Sequence, residues 1–174
     1  MDFTLEEATQ ILERTPTTLR LLVEGLSAGW TSNNEGPDTW SPRDVVAHLI
    51  HGEEDDWIPR ARNILQHGEA VPFKPFDRFA FAERYKGKSP AELLDTFEDL
   101  RRQNLEALAA MSLGPEQLKL YGTHPAFGRV TMAQLLATWA VHDLSHIVQI
   151  TRVMAKQYDR AVGPWKAYLS VLSK

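Results

Sequence analysis

The chain has 174 residues, of which 43% are hydrophobic and 24% charged, and its formal net charge is -4 at pH 7. This length favours one globular domain, residues 1–174, with a substantial core. The slight negative charge and the lack of a basic run argue against a nucleic-acid groove, which needs clustered lysine and arginine side chains. We therefore expect a single folded domain with no nucleic-acid partner.

The composition also bears on the cellular setting. Cysteine is absent, which excludes disulfides, thiolate metal sites and a cysteine nucleophile, and which fits a reducing cytoplasm. The N-terminal segment MDFTLEEATQ is acidic and polar, unlike a signal peptide. No apolar run reaches the roughly 18 residues that a membrane-spanning helix needs. We expect a cytoplasmic protein with no membrane partner.

Helical periodicity begins near the N-terminus. The first helix is predicted over residues 3–27, with a kink or restart at Pro16 because proline lacks a backbone N–H. The segment SPRD at 41–44 predicts the start of a second helix: serine caps it, proline suits its first position, and aspartate completes a capping box. This helix is expected to run toward Gly68, with a kink at Pro59.

Two further long helices follow an aromatic segment. Residues 72–88 are aromatic-rich and aperiodic, which predicts an ordered loop with a short helix. The segment SPAE at 89–92 starts the third helix with the same capping device, and the fourth follows Thr131 and extends to about Tyr158. A short C-terminal helix comes after Gly163. No segment alternates with a period of two, so the predicted fold class is all-α, a four-helix bundle with a crossover connection.

The fourth helix carries the most informative pair of residues. His142 and His146 are four positions apart, so both imidazoles lie on one helix face, within its apolar stripe. Two buried imidazoles in an apolar seam are hard to satisfy by hydrogen bonds alone, and a shared divalent cation resolves the problem. The alternative is a pair of packed core histidines that bond to a carbonyl or a carboxylate.

A metal site here needs a ligand from a second helix, because the pair lacks the His-Glu-x-x-His spacing of a zincin protease. His48 is the best candidate, since it lies in an apolar run and Gly52, one turn further on, leaves room beside it. His51 is the rival. It precedes the acidic segment 53–56, which is typical of a solvated face, so we expect His51 at the surface or rim.

These residues resemble a known family, the DinB-like superfamily of metal-binding helical bundles. The resemblance covers nearly the whole chain and is carried by WSPRDVVAHL at 40–49, THPAFG at 123–128 and WAVHDLSHI at 139–147. The ligand triad of that family is one histidine on the second helix and a His-x-x-x-His pair on the last long helix. It corresponds to His48, His142 and His146. The resemblance also implies a bundle with a crossover that is often a homodimer.

Three histidine ligands leave open coordination positions, an arrangement typical of catalytic rather than structural metal sites. The resemblance implies a divalent metal, Zn or Ni, in a metal-dependent enzyme of S-transferase or hydrolase type. Its substrate would be a small molecule, for an S-transferase a low-molecular-weight thiol. Such a metal lowers the pKa of a bound thiol or water and so supplies a nucleophile. The alternative is a non-catalytic metal-binding or stress-associated bundle.

No catalytic residue is assigned from the sequence, and two polar residues keep open roles. Asp143 either orients a neighbouring histidine or contacts another helix. His124 either reaches the mouth of the site or is a turn residue ahead of Pro125.

Overall fold

A computed structural model describes residues 2–173 and contains a bundle of long α-helices and one β-hairpin. In chain order the elements are α1 (Leu5–Val23), α2 (Ala28–Thr31), α3 (Pro42–Asp55), α4 (Trp57–His67), α5 (Phe81–Arg84), α6 (Pro90–Ala110), α7 (Pro115–Leu118), β1 (Tyr121–His124), β2 (Gly128–Thr131) and α8 (Met132–Lys156). The predicted all-α, four-helix-bundle class is confirmed. Within residues 2–173, no helix combines the length and the apolar character needed to cross a membrane.

The four members of the bundle are α1, the broken pair α3–α4, α6 and α8. Helix α1 packs against α6 and α8, and α3 packs against the same two helices. Consecutive members α1 and α3 therefore lie on a diagonal of the bundle, and the segment between them crosses over one end. The core side chains form two clusters, one around Trp57 and Trp139 and one around Leu49, Phe97 and Ile150.

The long helices begin where their capping residues predict. Ser41, Ser89 and Thr131 each accept a hydrogen bond from the backbone N–H three residues on, and each capping box is closed in return by the side chain at that position. Pro42 and Pro90 occupy the first turn, where a missing N–H costs nothing. Local chemistry thus sets three of the helix starts.

The prolines act differently from the prediction. Helix α1 runs without interruption through Pro16 and ends at Val23, so the predicted restart is wrong. The predicted second helix is divided at Asp56, whose backbone angles are φ -112° and ψ -76°. Pro59 has no N–H to bond to the carbonyl of Asp55, four residues earlier, and the break therefore lies one turn upstream of the proline.

The β-hairpin is a feature that the sequence did not predict. Its antiparallel strands pair Tyr121 with Thr131. Each strand has four residues, too few for an alternating pattern to stand out. A Cβ at Gly122 would lie 2.7 Å from the ring of Phe73, so only glycine lets the hairpin approach that ring.

The C-terminal segment is helical in part. It forms two 3-10 turns, Gly163–Tyr168 and Ser170–Leu172, where a short helix was predicted. Leu172 is buried, whereas Trp165 and Tyr168 are exposed.

Candidate metal centre

Three histidine rings from α3 and α8 meet inside the bundle. The Nε2 atom of His142 lies 3.3 Å from Nε2 of His48 and 3.1 Å from Nε2 of His146. One nitrogen from each ring lies within 4.8 Å of the other two. In a tetrahedral zinc site, Zn–N bonds of about 2.0–2.1 Å place neighbouring nitrogens about 3.3 Å apart. We call these three residues the histidine cluster, and its dimensions are those of one metal ion held by three imidazoles.

Burial keeps the rings of the histidine cluster neutral. Burial, aided by the nearby His146, lowers the pKa of His48 to about 3. Burial and the neighbouring histidines likewise lower the pKa of His142 to about 3. Burial also lowers the pKa of His146, although its hydrogen bond to Gln149 opposes the change. A neutral imidazole is the form that binds a metal, so these rings need lose no proton near neutral pH to do so.

The outer nitrogens of the three rings differ in their partners. Nδ1 of His146 lies 2.8 Å from Oε1 of Gln149. An amide oxygen is an acceptor, so Nδ1 carries the proton and Nε2 presents a lone pair to the cluster. Nδ1 of His48 and Nδ1 of His142 are buried and have no hydrogen-bond partner in the described part of the chain. The contacts among the three rings therefore leave two of their outer nitrogens without a hydrogen bond.

Aromatic rings surround the histidine cluster. Trp40 packs on His48 with ring centroids 4.6 Å apart, and Phe76 meets the same imidazole edge-on at 5.9 Å. Trp57 meets His142 edge-on at 5.1 Å. These rings restrict the access of water, which strengthens any electrostatic interaction at the centre.

Gly52 was expected to leave room beside His48. It does leave room, but the indole of Trp57 occupies that space. A Cβ at Gly52 would lie 3.3 Å from Nε1 of Trp57, so the glycine makes room for this indole. The indole also stacks on Trp139 at 5.9 Å. Both tryptophans are buried core residues. Trp57 thereby joins the core to the histidine cluster.

A buried ionic cluster adjoins the histidines along α8. The Arg101 guanidinium, on α6, donates to Oε1 of Glu53 at 2.8 Å and to the two carboxylate oxygens of Asp143 at 2.6 and 3.0 Å. Trp139 Nε1 and Asn104 Nδ2 also donate to the Glu53 carboxylate, at 3.0 and 2.9 Å. We call these five residues the Arg101 cluster. The guanidinium and both carboxylates are almost fully buried and bind one another directly beside the imidazoles.

Two sequence-based expectations about α3 are wrong. The acidic segment 53–56 is not a solvated face throughout, because Glu53 is 2% exposed and Asp56 8%. His51 is not a rim residue either, since it is 2% exposed. Its Nε2 donates to the carbonyl of Asp77 at 3.0 Å, and Arg84 donates to its Nδ1 at 3.1 Å. His51 thus anchors the segment that precedes α5, apart from the three-histidine group.

The missed residue in this region is Arg101. It lies on the inward face of α6, four positions after Phe97 and seven before Leu108, both buried. A charged residue on an apolar stripe needs a buried counter-charge, and that pattern could have revealed it. Of the two roles left open for Asp143, the contact with another helix is the one observed.

A cleft of about 600 Å³ opens beside the histidine cluster. It is lined by Asp56, Arg60, Pro75, Phe76, Arg78, His124, Pro125, Ala126 and Phe127. Phe76 contacts His48 and also lines the cleft. Nδ1 of His124 accepts from the backbone N–H groups of Ala126 and Phe127 at 3.1 and 3.2 Å. His124 is therefore a turn residue and part of the cleft wall at once.

Comparison with known proteins agrees with this architecture. The family model of the DinB superfamily matches residues 11–150, a range that includes the whole histidine cluster. A solved structure of YfiT from Bacillus subtilis, described as a probable metal-dependent hydrolase with an unusual four-helix bundle topology, superposes with a TM-score of 0.74. The two sequences are 23% identical over 92% of this chain and 90% of that chain, a likeness that shows a shared fold. Comparison with curated proteins gives no match.

Proposed function

The chain belongs to the DinB superfamily, and from this premise we propose that His48, His142 and His146 bind one divalent metal ion at the active centre of an enzyme acting on a small molecule. The observation that carries the proposal is the convergence of three neutral imidazoles, one buried and two half-buried, with Nε2 separations of 3.1 and 3.3 Å. The description of YfiT as a probable metal-dependent hydrolase favours hydrolysis. Transfer to a low-molecular-weight thiol is the second reaction type that the family resemblance implies.

The donor set suits the proposed ion. Three imidazoles are borderline ligands that favour Zn or Ni over Mg or Ca, and three protein ligands leave a coordination position open. When bound, the metal would supply Lewis acidity that lowers the pKa of a coordinated water or thiol. Gln149 orients His146 through its Nδ1–H, and the aromatic rings of Trp40 and Trp57 restrict water around the ligands.

Open space beside the ligands favours an enzyme over the non-catalytic alternative. His142 lines a surface cavity of about 410 Å³ together with Ala137, Thr138, Val141 and Ser145. On the other side, Phe76 separates His48 from the larger cleft. A metal sealed in the core would instead suit a non-catalytic metal-binding or stress-associated bundle. No side chain is assigned as a general acid or base.

The remaining expectations stay proposals as well. They are a single domain over residues 1–174, a cytoplasmic location and a homodimer. The sequence did not indicate an exposed apolar stripe, yet Val141, Leu144 and Val148 on α8 are 60, 44 and 62% exposed. Such a stripe supports dimerisation, because exposed apolar surface tends to mark an interface.

Elemental analysis of the purified, tag-free protein tests the metal proposal. We expect about one Zn or Ni ion per chain in the wild type. His48→Ala, His142→Ala and His146→Ala should each lose it. Circular dichroism should show that the variants remain helical, because the bundle is stabilised mainly by its apolar core. His51→Ala is the matched control, since it is a buried histidine of α3 outside the cluster and should keep the metal.

Two results would count against the proposal. If any of the three cluster variants kept its full metal content, that histidine would not be a ligand. If the wild type bound no metal even after reconstitution, the histidines would be packed core residues.

A further inference from the structure

We propose that the cleft beside the histidine cluster binds the carboxylate of an otherwise apolar small molecule, and that Arg78 is the residue that binds this anion. The inference deepens the proposed function, on which it rests, because it names a substrate class for the same centre. It is carried by an unpaired guanidinium, by the aromatic walls of the cleft and by the contact of those walls with the histidines.

Arg78 is the cation of the cleft that remains free for a ligand. Its guanidinium carbon lies 5.3 Å from the ring centre of Trp40 and 5.0 Å from that of Phe79. Within residues 2–173 it makes no ion pair with a carboxylate. Arg60, by contrast, pairs with Asp56 through an Nε–Oδ1 distance of 2.6 Å. With Arg60 and Asp56 compensating each other, Arg78 gives the cleft one net positive charge.

Packing on aromatic faces prepares Arg78 for planar anions. Neither ring offers a carboxylate or carbonyl acceptor, so the N–H groups along the edge of the guanidinium stay available for a ligand. Those edge groups match the two oxygens of a carboxylate in a bidentate pair. The aromatic support also restricts the side chain, which reduces the conformational entropy lost on binding.

The walls of the cleft favour an apolar body for the part of the ligand beyond its carboxylate. Phe76, Phe127 and Pro75 supply apolar surface, and Phe127 stacks on His124 at 4.5 Å. Because Nδ1 of His124 accepts two backbone N–H groups, its proton resides on Nε2, which is a donor. An apolar body with an anionic end satisfies these groups better than a cation or a fully polar molecule does.

Contacts between rings join this anion site to the histidine cluster. Trp40, under Arg78, packs on His48 at 4.6 Å and stacks with His146 at 6.2 Å. Phe76, in the cleft wall, meets His48 edge-on at 5.9 Å. A molecule held by its carboxylate at Arg78 is therefore separated from the histidines by a single layer of aromatic rings, those of Trp40 and Phe76.

Calorimetric titration of the metal-free protein tests the anion site. The probes are phenylacetate and its neutral analogue phenylacetamide. Phenylacetate should bind the wild type more tightly than phenylacetamide does, and Arg78→Gln should weaken phenylacetate binding about tenfold to a hundredfold while changing phenylacetamide little. Arg62→Gln is the matched control, because Arg62 is an exposed cation of α4 that does not line the cleft.

Three results would overturn the anion site. They are equal affinity for the two probes, an unchanged phenylacetate affinity in Arg78→Gln, and the absence of phenylacetate binding to the wild type. A loss in Arg62→Gln as large as in Arg78→Gln would also overturn it, since the effect would then reflect general surface charge.

A second measurement separates this inference from the proposed function. Nuclear relaxation of phenylacetate protons should be faster with cobalt-loaded than with zinc-loaded wild-type protein, because Co²⁺ is paramagnetic. Unchanged relaxation, with Arg78-dependent binding intact, would overturn the placement of the anion site beside the metal. A protein that takes up no metal would overturn the proposed function alone, since titration of the metal-free protein still reports on Arg78.

Discussion

The histidine cluster and the Arg101 cluster lie side by side between α3, α6 and α8, yet they are built in opposite ways. Arg101 spans two carboxylates that also receive the N–H groups of Asn104 and Trp139. Its Nε is the atom of that side chain that has no partner in the described residues. In the histidine cluster, three nitrogens face one another and two buried Nδ1 atoms have no partner there.

This difference indicates what each cluster is for. Next to each other on α8, Asp143 is bound on both of its carboxylate oxygens and His142 is not satisfied. The same helices can therefore satisfy a buried polar group where stability requires it. The histidine cluster instead brings three Nε2 atoms to one point, where a single cation binds their lone pairs together. We expect the Arg101 cluster to determine folding stability and the histidine cluster to determine metal binding.

The largest expected effect comes from breaking the Arg101 cluster. Arg101→Met leaves Glu53 and Asp143 buried without a counter-charge, and it should lower the free energy of unfolding by about 3–5 kcal/mol. Urea denaturation measures this change. Arg102→Met, on the exposed side of the same helix, should change it by less than about 0.5 kcal/mol. Similar stabilities for the two variants would mean that the Arg101 cluster does not carry the stability assigned to it.

The pH dependence of the metal-free protein comes next in size. The folded-state pKa of His142 is about 3, below its ordinary value of 6.5, so the unfolded chain binds more protons between these values. The contribution of His142 to the free energy of unfolding is therefore fully present above about pH 6.5. It is lost as the pH falls, by at most about 1.4 kcal/mol per pH unit for each such histidine. His142→Ala should lose less stability than the wild type between neutral pH and pH 5 in urea denaturation. Equal slopes would show that His142 is not held neutral by burial.

The wild type must be compared with His142→Ala because Asp56 changes the folding stability with pH in the opposite direction. Burial raises the pKa of Asp56 to about 6, partly offset by Arg60. The folded state then binds more protons than the unfolded state at mildly acidic pH, so Asp56 favours folding as the pH falls. The difference between wild type and His142→Ala cancels this contribution.

The last expected effect is confined to metal affinity and concerns the support of one ligand. Gln149→Leu removes the acceptor of the His146 Nδ1–H and should weaken metal affinity about tenfold to a hundredfold. Competition with a chromophoric chelator measures it. Gln103→Leu, on the exposed face of α6, is the control and should leave the affinity unchanged. If both variants bound metal as the wild type does, Gln149 would not orient the ligand.

Much of the fold could be predicted because its signals are local. Each capping box at Ser41, Ser89 and Thr131 involves residues within one turn, so the sequence alone locates these helix starts. The hairpin could not be predicted in this way, because its strands of four residues are stabilised by pairing and by packing against Phe73. The break at Asp56 was displaced from Pro59 because proline removes a hydrogen bond one turn upstream.

The sequence by itself determined the helical bundle and the shared face of His142 and His146, because helix periodicity places residues four apart on one side. The resemblance and the apolar run around His48 also singled out the third member of the cluster. Only the tertiary structure decided that Glu53 and His51 are buried, that Arg101 joins Glu53 to Asp143, and that Arg78 remains unpaired above Trp40. The physical reason is that burial and charge pairing depend on which helices and loops become neighbours, and residues 42 to 48 positions apart, such as those that Arg101 joins, show no periodic relation along the chain.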